Sequence, residues 1–195
     1  MKRRDVLSSL TAAGLSVWQA STTNAALAHT GRVEPPQPAP DLPLLDHLGQ
    51  PRRLNAWLRG QVTVVQTMFT GCRSLCPIQG GLFADLQQRL PTMGLSRPVH
   101  MLSISIDALA DSPDALRRWL ERMNARQPLW SAAVPRVEDV DALLSLLQGQ
   151  PPSRGSGDIH GTSVCVFDDA AMMRWRSAPL PAAEELRGVL SHLTR

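Results

Sequence analysis

The chain has no tyrosine, a single lysine (Lys2) and only three cysteines, and aromatics make up 4% of it. So few aromatics, with no Lys/Arg cluster, exclude a nucleic-acid interface built on stacking and phosphate contacts. No run approaches about 20 unbroken apolar residues, which excludes a multi-span membrane protein. What is present is ordinary for a globular protein: 43% hydrophobic and 19% charged residues over 195 positions. A chain of this size forms one domain and buries a sizeable core without metal or disulfide staples. The formal charge of +3 is mostly N-terminal, since Lys2, Arg3, Arg4 and Asp5 supply +2 of it.

Residues 1–28 read as an export signal. Lys2-Arg3-Arg4 is followed by a weakly apolar stretch to about Ala20, and Ala26-Leu27-Ala28 matches a cleavage site that leaves His29 first. The paired arginines and weak apolar core resemble a twin-arginine signal, which carries folded proteins; an ordinary secretory signal is the alternative. Both predict a protein exported to an oxidising compartment, the bacterial periplasm, with no membrane span after cleavage. Pro35, Pro36, Pro38, Pro40 and Pro43 make residues 29–43 a Pro-rich linker on this reading. The folded domain is then 44–195.

Within it, strands and helices alternate. The β-branched run from Val62 to Phe69 predicts a buried strand, and residues 77–90 a helix with Ile78, Leu82, Leu86 and Leu90 inward. A strand over 99–106 precedes Ser112-Pro113, an N-cap with proline at the first helical position. Further strands are expected at 130–134, 163–167 and 172–175, the last two joined by the turn Asp168–Ala171. Helices are expected over 137–147 and from Pro181 onward. This order predicts an α/β, thioredoxin-like domain with a central mixed sheet flanked by helices.

The informative stretch is Phe69-Thr70-Gly71-Cys72-Arg73-Ser74-Leu75-Cys76-Pro77, after a buried strand and at a helix start. A helix N-terminus favours thiolates, and Arg73 adds a cation, so both thiol pKa values should fall. A pair four residues apart on one helix face can hold a soft metal ion, copper(I) first and zinc next, or react as a redox pair. A structural Cys72–Cys76 disulfide is the bland alternative. His160, after a Gly/Pro/Ser loop and before a strand, is the candidate third ligand. Asp107, at a strand end, either tunes the thiolates or caps a turn. Cys165 lies in an apolar strand and reads as a core thiol. His29 at a mature N-terminus is a remote copper(II) candidate. His47, His100 and His192 read as structural or surface residues, and the scattered methionines as core.

Cys72-x-x-x-Cys76-Pro77, Ser105-Ile106-Asp107 with Asp111-Ser112-Pro113, and Asp158-Ile159-His160-Gly161-Thr162-Ser163 together resemble the Sco/SenC family. The resemblance runs over about residues 42–193. It implies a thioredoxin-like protein binding one copper, Cu(I) or Cu(II), through Cys72, Cys76 and His160. Such proteins deliver copper to cytochrome c oxidase subunit II or reduce that subunit's cysteines by thiol–disulfide exchange. A monomeric metallochaperone is the expectation; a thiol–disulfide oxidoreductase using Cys72 and Cys76 without physiological metal is the alternative. Ile159 stands where the family commonly has Asp before the histidine, and Ala108 where it has Pro.

Overall fold

The computed structural model describes residues 30–149 and 161–195. The export signal, His29, Asp158, Ile159 and His160 lie outside the described residues.

The centre of the molecule is a parallel ladder. Strand β4 (Val62–Met68) is buried at every position, as a Val/Thr-rich run covered on both faces should be. It pairs in parallel with β5 (Val99–Ser105), which pairs in parallel with β6 (Trp130–Pro135). On its other side β4 meets β7 (Val164–Phe167) antiparallel, and β7 meets β8 (Met172–Arg176) across a tight turn. In that turn Asp168 Oδ1 accepts from the amides of Ala170 and Met172.

Three further strands complete a mixed sheet that has eight strands among the described residues. Strand β1 (Gly31–Pro38) pairs antiparallel with β8 at one edge. At the other edge, β2 (Pro43–Asp46) pairs with β6 and with β3 (Pro51–Arg53). The expected linker over 29–43 is therefore corrected: most of it is a strand, and Val33, Ala39 and Leu42 join the core. Proline is compatible with an edge strand because one side of its ladder is open. Register slips between Arg32 and Gln37, where Pro35 and Pro36 sit.

Helices cover both faces. One side carries α2 (Leu75–Arg89), α3 (Pro113–Arg122) and α5 (Ala183–Leu193), packed over Phe83, Trp119 and Trp130. Trp119 meets Trp130 edge-on at 5.6 Å between centroids. The opposite face carries α1 (Leu54–Leu58) and α4 (Val140–Gln148), with Leu54, Leu58, Leu143 and Leu147 inward. Ser112 caps α3 as expected, its hydroxyl oxygen accepting from the Ala115 amide at 3.3 Å.

The inward face expected of α2 holds at Leu86 and Leu90, with Leu82 packed against the core, but is rotated away from Ile78. Ile78 is 59% exposed, and the buried side is Cys76, Gln79, Gly80, Phe83, Leu86 and Gln87. Gly80 explains the rotation. A Cβ there would stand 2.4 Å from Met123 Sδ and 3.4 Å from the Trp119 ring, so the bare backbone lets α2 lie close to α3.

Candidate functional site

The cysteine pair sits where the parallel strands end. Beyond β4 the chain turns through Thr70 and Gly71, and the Cys72 amide donates to Phe69 O at 3.2 Å. Helix α2 begins at Leu75, so Cys76 is in its first turn while Cys72 lies in the loop before it. The pair therefore does not share a helix face. The loop folds back instead, and the Cys76 amide donates to Cys72 Sγ at 3.4 Å. Both thiols are free, with Cys72 partly exposed and Cys76 buried.

The expectation of two lowered thiol pKa values is half corrected. Burial raises that of Cys72, but the amides of Ser74 and Cys76 and the Cys76 side chain outweigh it, bringing the thiol down to about 7. Arg73 is exposed to solvent; the lowering is the work of the loop's own N–H groups. Cys76 goes the other way. Burial first, then the Cys72 side chain, push it up to about 12, with the charges of Cys72 and Asp111 adding to the rise. One partly exposed, acidic thiol thus faces one buried, reluctant one.

Of the two tasks open to Asp107, the structure shows the turn cap, and the neighbouring Asp111 is the acid that reaches the cysteine loop. Asp107 Oδ1 accepts from the Ala110 amide at 3.1 Å, which makes it a turn cap. Asp111 is buried, and its carboxylate accepts from the Thr70 amide at 3.0 Å, the Thr70 hydroxyl and the Ser105 hydroxyl at 2.6 Å. The sequence alone assigns no task to Asp111. The signal was there in Asp111-Ser112-Pro113, since an acid just ahead of a helix cap is free to turn inward.

A narrow cavity beside Cys76 is lined by Thr67, Met68, Phe69, Gln79, Gly161 and Thr162 among others. The segment after His160 re-enters the fold on this wall. The Thr67 hydroxyl donates to Gly161 O, and Gln79 Nε2 donates to Thr162 O at 3.2 Å. Among the described residues, no group of three or more His, Cys, Asp or Glu side chains is arranged to hold a metal ion. The two sulfurs are a soft, two-donor set of the kind that suits copper(I). Cys165 is buried on the opposite face of the sheet, its thiol donating to Leu147 O at 3.3 Å. His47 and His100 are buried away from the thiols, and His192 meets Arg32 at the surface. No helix among the described residues is long and apolar enough to cross a membrane.

Comparison with known proteins agrees with this architecture. The chain is similar to a SCO1/SenC family lipoprotein from Bacillus anthracis, with a TM-score of 0.70 and 21% identity, covering 84% of this chain and 99% of that one. It is similar to BsSco, a Sco family cytochrome c oxidase assembly protein described with a disulfide switch (TM-score 0.69, 15% identity, 85% and 98% covered). Yeast Sco1 with copper bound also aligns, at a TM-score of 0.64 and 16% identity over 80% of this chain and 88% of that one. These likenesses establish the shared thioredoxin-like fold. No curated protein matches the chain in sequence. The SCO1/SenC family model, however, matches residues 34–188, nearly the whole folded region, and by that match the chain belongs to the SCO1/SenC family.

Proposed function

We propose that this chain binds one copper ion through Cys72, Cys76 and His160. It would then pass the ion to, or reduce the cysteines of, a respiratory copper enzyme such as cytochrome c oxidase subunit II. The observation that carries the reading is the folded-back loop, which brings two thiols together at the end of the parallel ladder. Family membership and the copper-bound structure of yeast Sco1 support copper as the cargo. His160 supplies the third donor on this reading, because Gly161, its neighbour, is tied to Thr67 beside Cys76. Two thiolates and an imidazole suit copper better than a hard cation. The protein works as an exported, periplasmic monomer, its signal removed.

The test is an anaerobic copper(I) titration of reduced residues 29–195 against a chromophoric competitor. One tightly held equivalent is expected, and His160→Ala should weaken it by a large factor. Failure to compete at all would overturn the reading; unchanged affinity in His160→Ala would remove that residue from the ligand set.

The thiol asymmetry favours a second activity at the same residues. Cys72 is the partly exposed thiol that ionises near neutrality and Cys76 the buried partner. In thiol–disulfide exchange the Cys72 thiolate attacks a partner disulfide and releases one partner thiol. Cys76 then displaces the second thiol, closing the Cys72–Cys76 disulfide. Two protein thiols are oxidised and one partner disulfide is reduced.

A further inference from the structure

The cysteine loop is held by the carboxylate of Asp111, which bonds to Thr70 and Ser105 and not to either sulfur among the described residues. Asp111, only 8% exposed, lies just before α3 and takes part in no ion pair among the described residues. Its two oxygens accept from three donors. The Thr70 amide (3.0 Å) and the Ser105 hydroxyl (2.6 Å) reach Oδ2, and the Thr70 hydroxyl reaches Oδ1 (2.5 Å). The Asp111 amide in turn donates to Asp107 O at 2.9 Å, which fixes the carboxylate's own backbone. Thr70 is also gripped from α3, where Arg122 Nη2 donates to Thr70 O at 3.3 Å. Backbone amide, hydroxyl and carbonyl of Thr70 are all engaged, two residues before Cys72.

We propose that Asp111 is a positioning residue for the thiol pair. Its carboxylate clamps Thr70 to Ser105 at the end of β5, and so sets the turn in which Cys72 Sγ meets the Cys76 amide. A buried carboxylate without a basic partner is costly, and its desolvation is offset here only by these charge-assisted hydrogen bonds. The clamp keeps the loop from relaxing when Cys72 changes partner between a proton, a metal and a sulfur. Groups that orient metal ligands in this way typically change metal affinity by roughly 10–100-fold when lost. A misplacement of about 1 Å can slow a reaction by a factor on the order of 100.

This inference deepens the copper and exchange reading, and its test separates the two. Thr70→Val keeps the shape and the amide but removes the hydroxyl donor, Thr70→Ser restores it, and Asp111→Ala removes the acceptor. Two quantities are measured on full-length protein with thermal midpoints recorded alongside. One is copper(I) affinity by competition. The other is metal-free: the reduced protein reacts with 5,5′-dithiobis(2-nitrobenzoate), forming a mixed disulfide and one thionitrobenzoate. The second thionitrobenzoate appears as Cys76 closes the Cys72–Cys76 disulfide.

Thr70→Val and Asp111→Ala are expected to slow the closing step about tenfold or more and to weaken copper(I) by about 10–100-fold. Thr70→Ser should restore both, and the double variant should be no worse than Asp111→Ala. Slowed closure in a protein that binds no copper(I) would sink the copper reading and leave the positioning role standing. Parental closure in Thr70→Val and Asp111→Ala would overturn the positioning role. So would losses that follow the thermal midpoint and are absent in Thr70→Val.

Discussion

The Cys76 amide points at Cys72 Sγ across 3.4 Å, and this contact divides the labour between the two sulfurs. An N–H aimed at a sulfur stabilises its thiolate, while the same closeness and its own burial keep Cys76 protonated. The pair is asymmetric before any metal or partner arrives.

Alkylation of the reduced protein should show that asymmetry. Cys72 is lowered to about 7, so its rate with iodoacetamide should be half-maximal near that pH and fall about tenfold per unit below it. Cys76, raised to about 12, should lag throughout the neutral range. Peptide mapping by mass spectrometry distinguishes the sites. Equal labelling of both cysteines at neutral pH would contradict the assignment of Cys72 as the attacking thiol.

The parts of this arrangement that could be read from the sequence are those fixed by local chemistry. The run from Val62 to Phe69 announces a buried central strand, observed over Val62–Met68, Ser112-Pro113 a helix start, and Asp168–Ala171 a hairpin turn. What escaped was set by tertiary contact. The inward face of α2 depends on Gly80 meeting Met123, whereas the apolar stripe through Ile78 suggested another rotation. Strand β1 was hidden because five prolines favour a linker until an edge partner, β8, is available. Asp107 and Asp111 are four residues apart, and only the fold shows which one turns towards Thr70.

A buried histidine makes stability depend on pH. Burial, with the charge of His47 second, holds His100 down at about 4 against an ordinary 6.5. In the unfolded chain the imidazole takes a proton at the higher pH, so protons favour unfolding between those two values. Stability from this group is complete above about pH 6.5 and is lost as pH falls towards 4, up to about 3 kcal/mol in all. Urea unfolding on either side of that window should show the drop. His100→Gln, which can still reach the Ser131 hydroxyl, should flatten it; an unaltered slope would assign the effect to another group.

Cys165 should prove separable from the chemistry. It packs in the core layer under α4, while Cys76 packs in the layer under α2, so the sheet lies between them. Cys165→Ala is expected to cost about 1–2 kcal/mol in unfolding free energy through a small cavity and a lost hydrogen bond. Copper(I) affinity and the closing rate of the Cys72–Cys76 pair should stay at parental values. A changed copper stoichiometry would bring the third thiol into the site.

Arg176 ties down the end of α4. It is 5% exposed, and its guanidinium donates from Nε to Leu147 O and from Nη2 to Leu146 O, both at 2.8 Å. A helix C-terminus has unpaired carbonyls and the negative end of the macrodipole, which a cation satisfies well. Arg176→Met fills similar space but takes the donor from Leu146 O and leaves Leu147 O with the Cys165 thiol alone, at an expected cost of about 1–3 kcal/mol. Arg176→Lys keeps the charge but not the planar fork, and should fall between parent and Met. Denaturant midpoints for the three proteins give that order directly. A Met variant as stable as the parent would show that the end of α4 does not depend on the guanidinium.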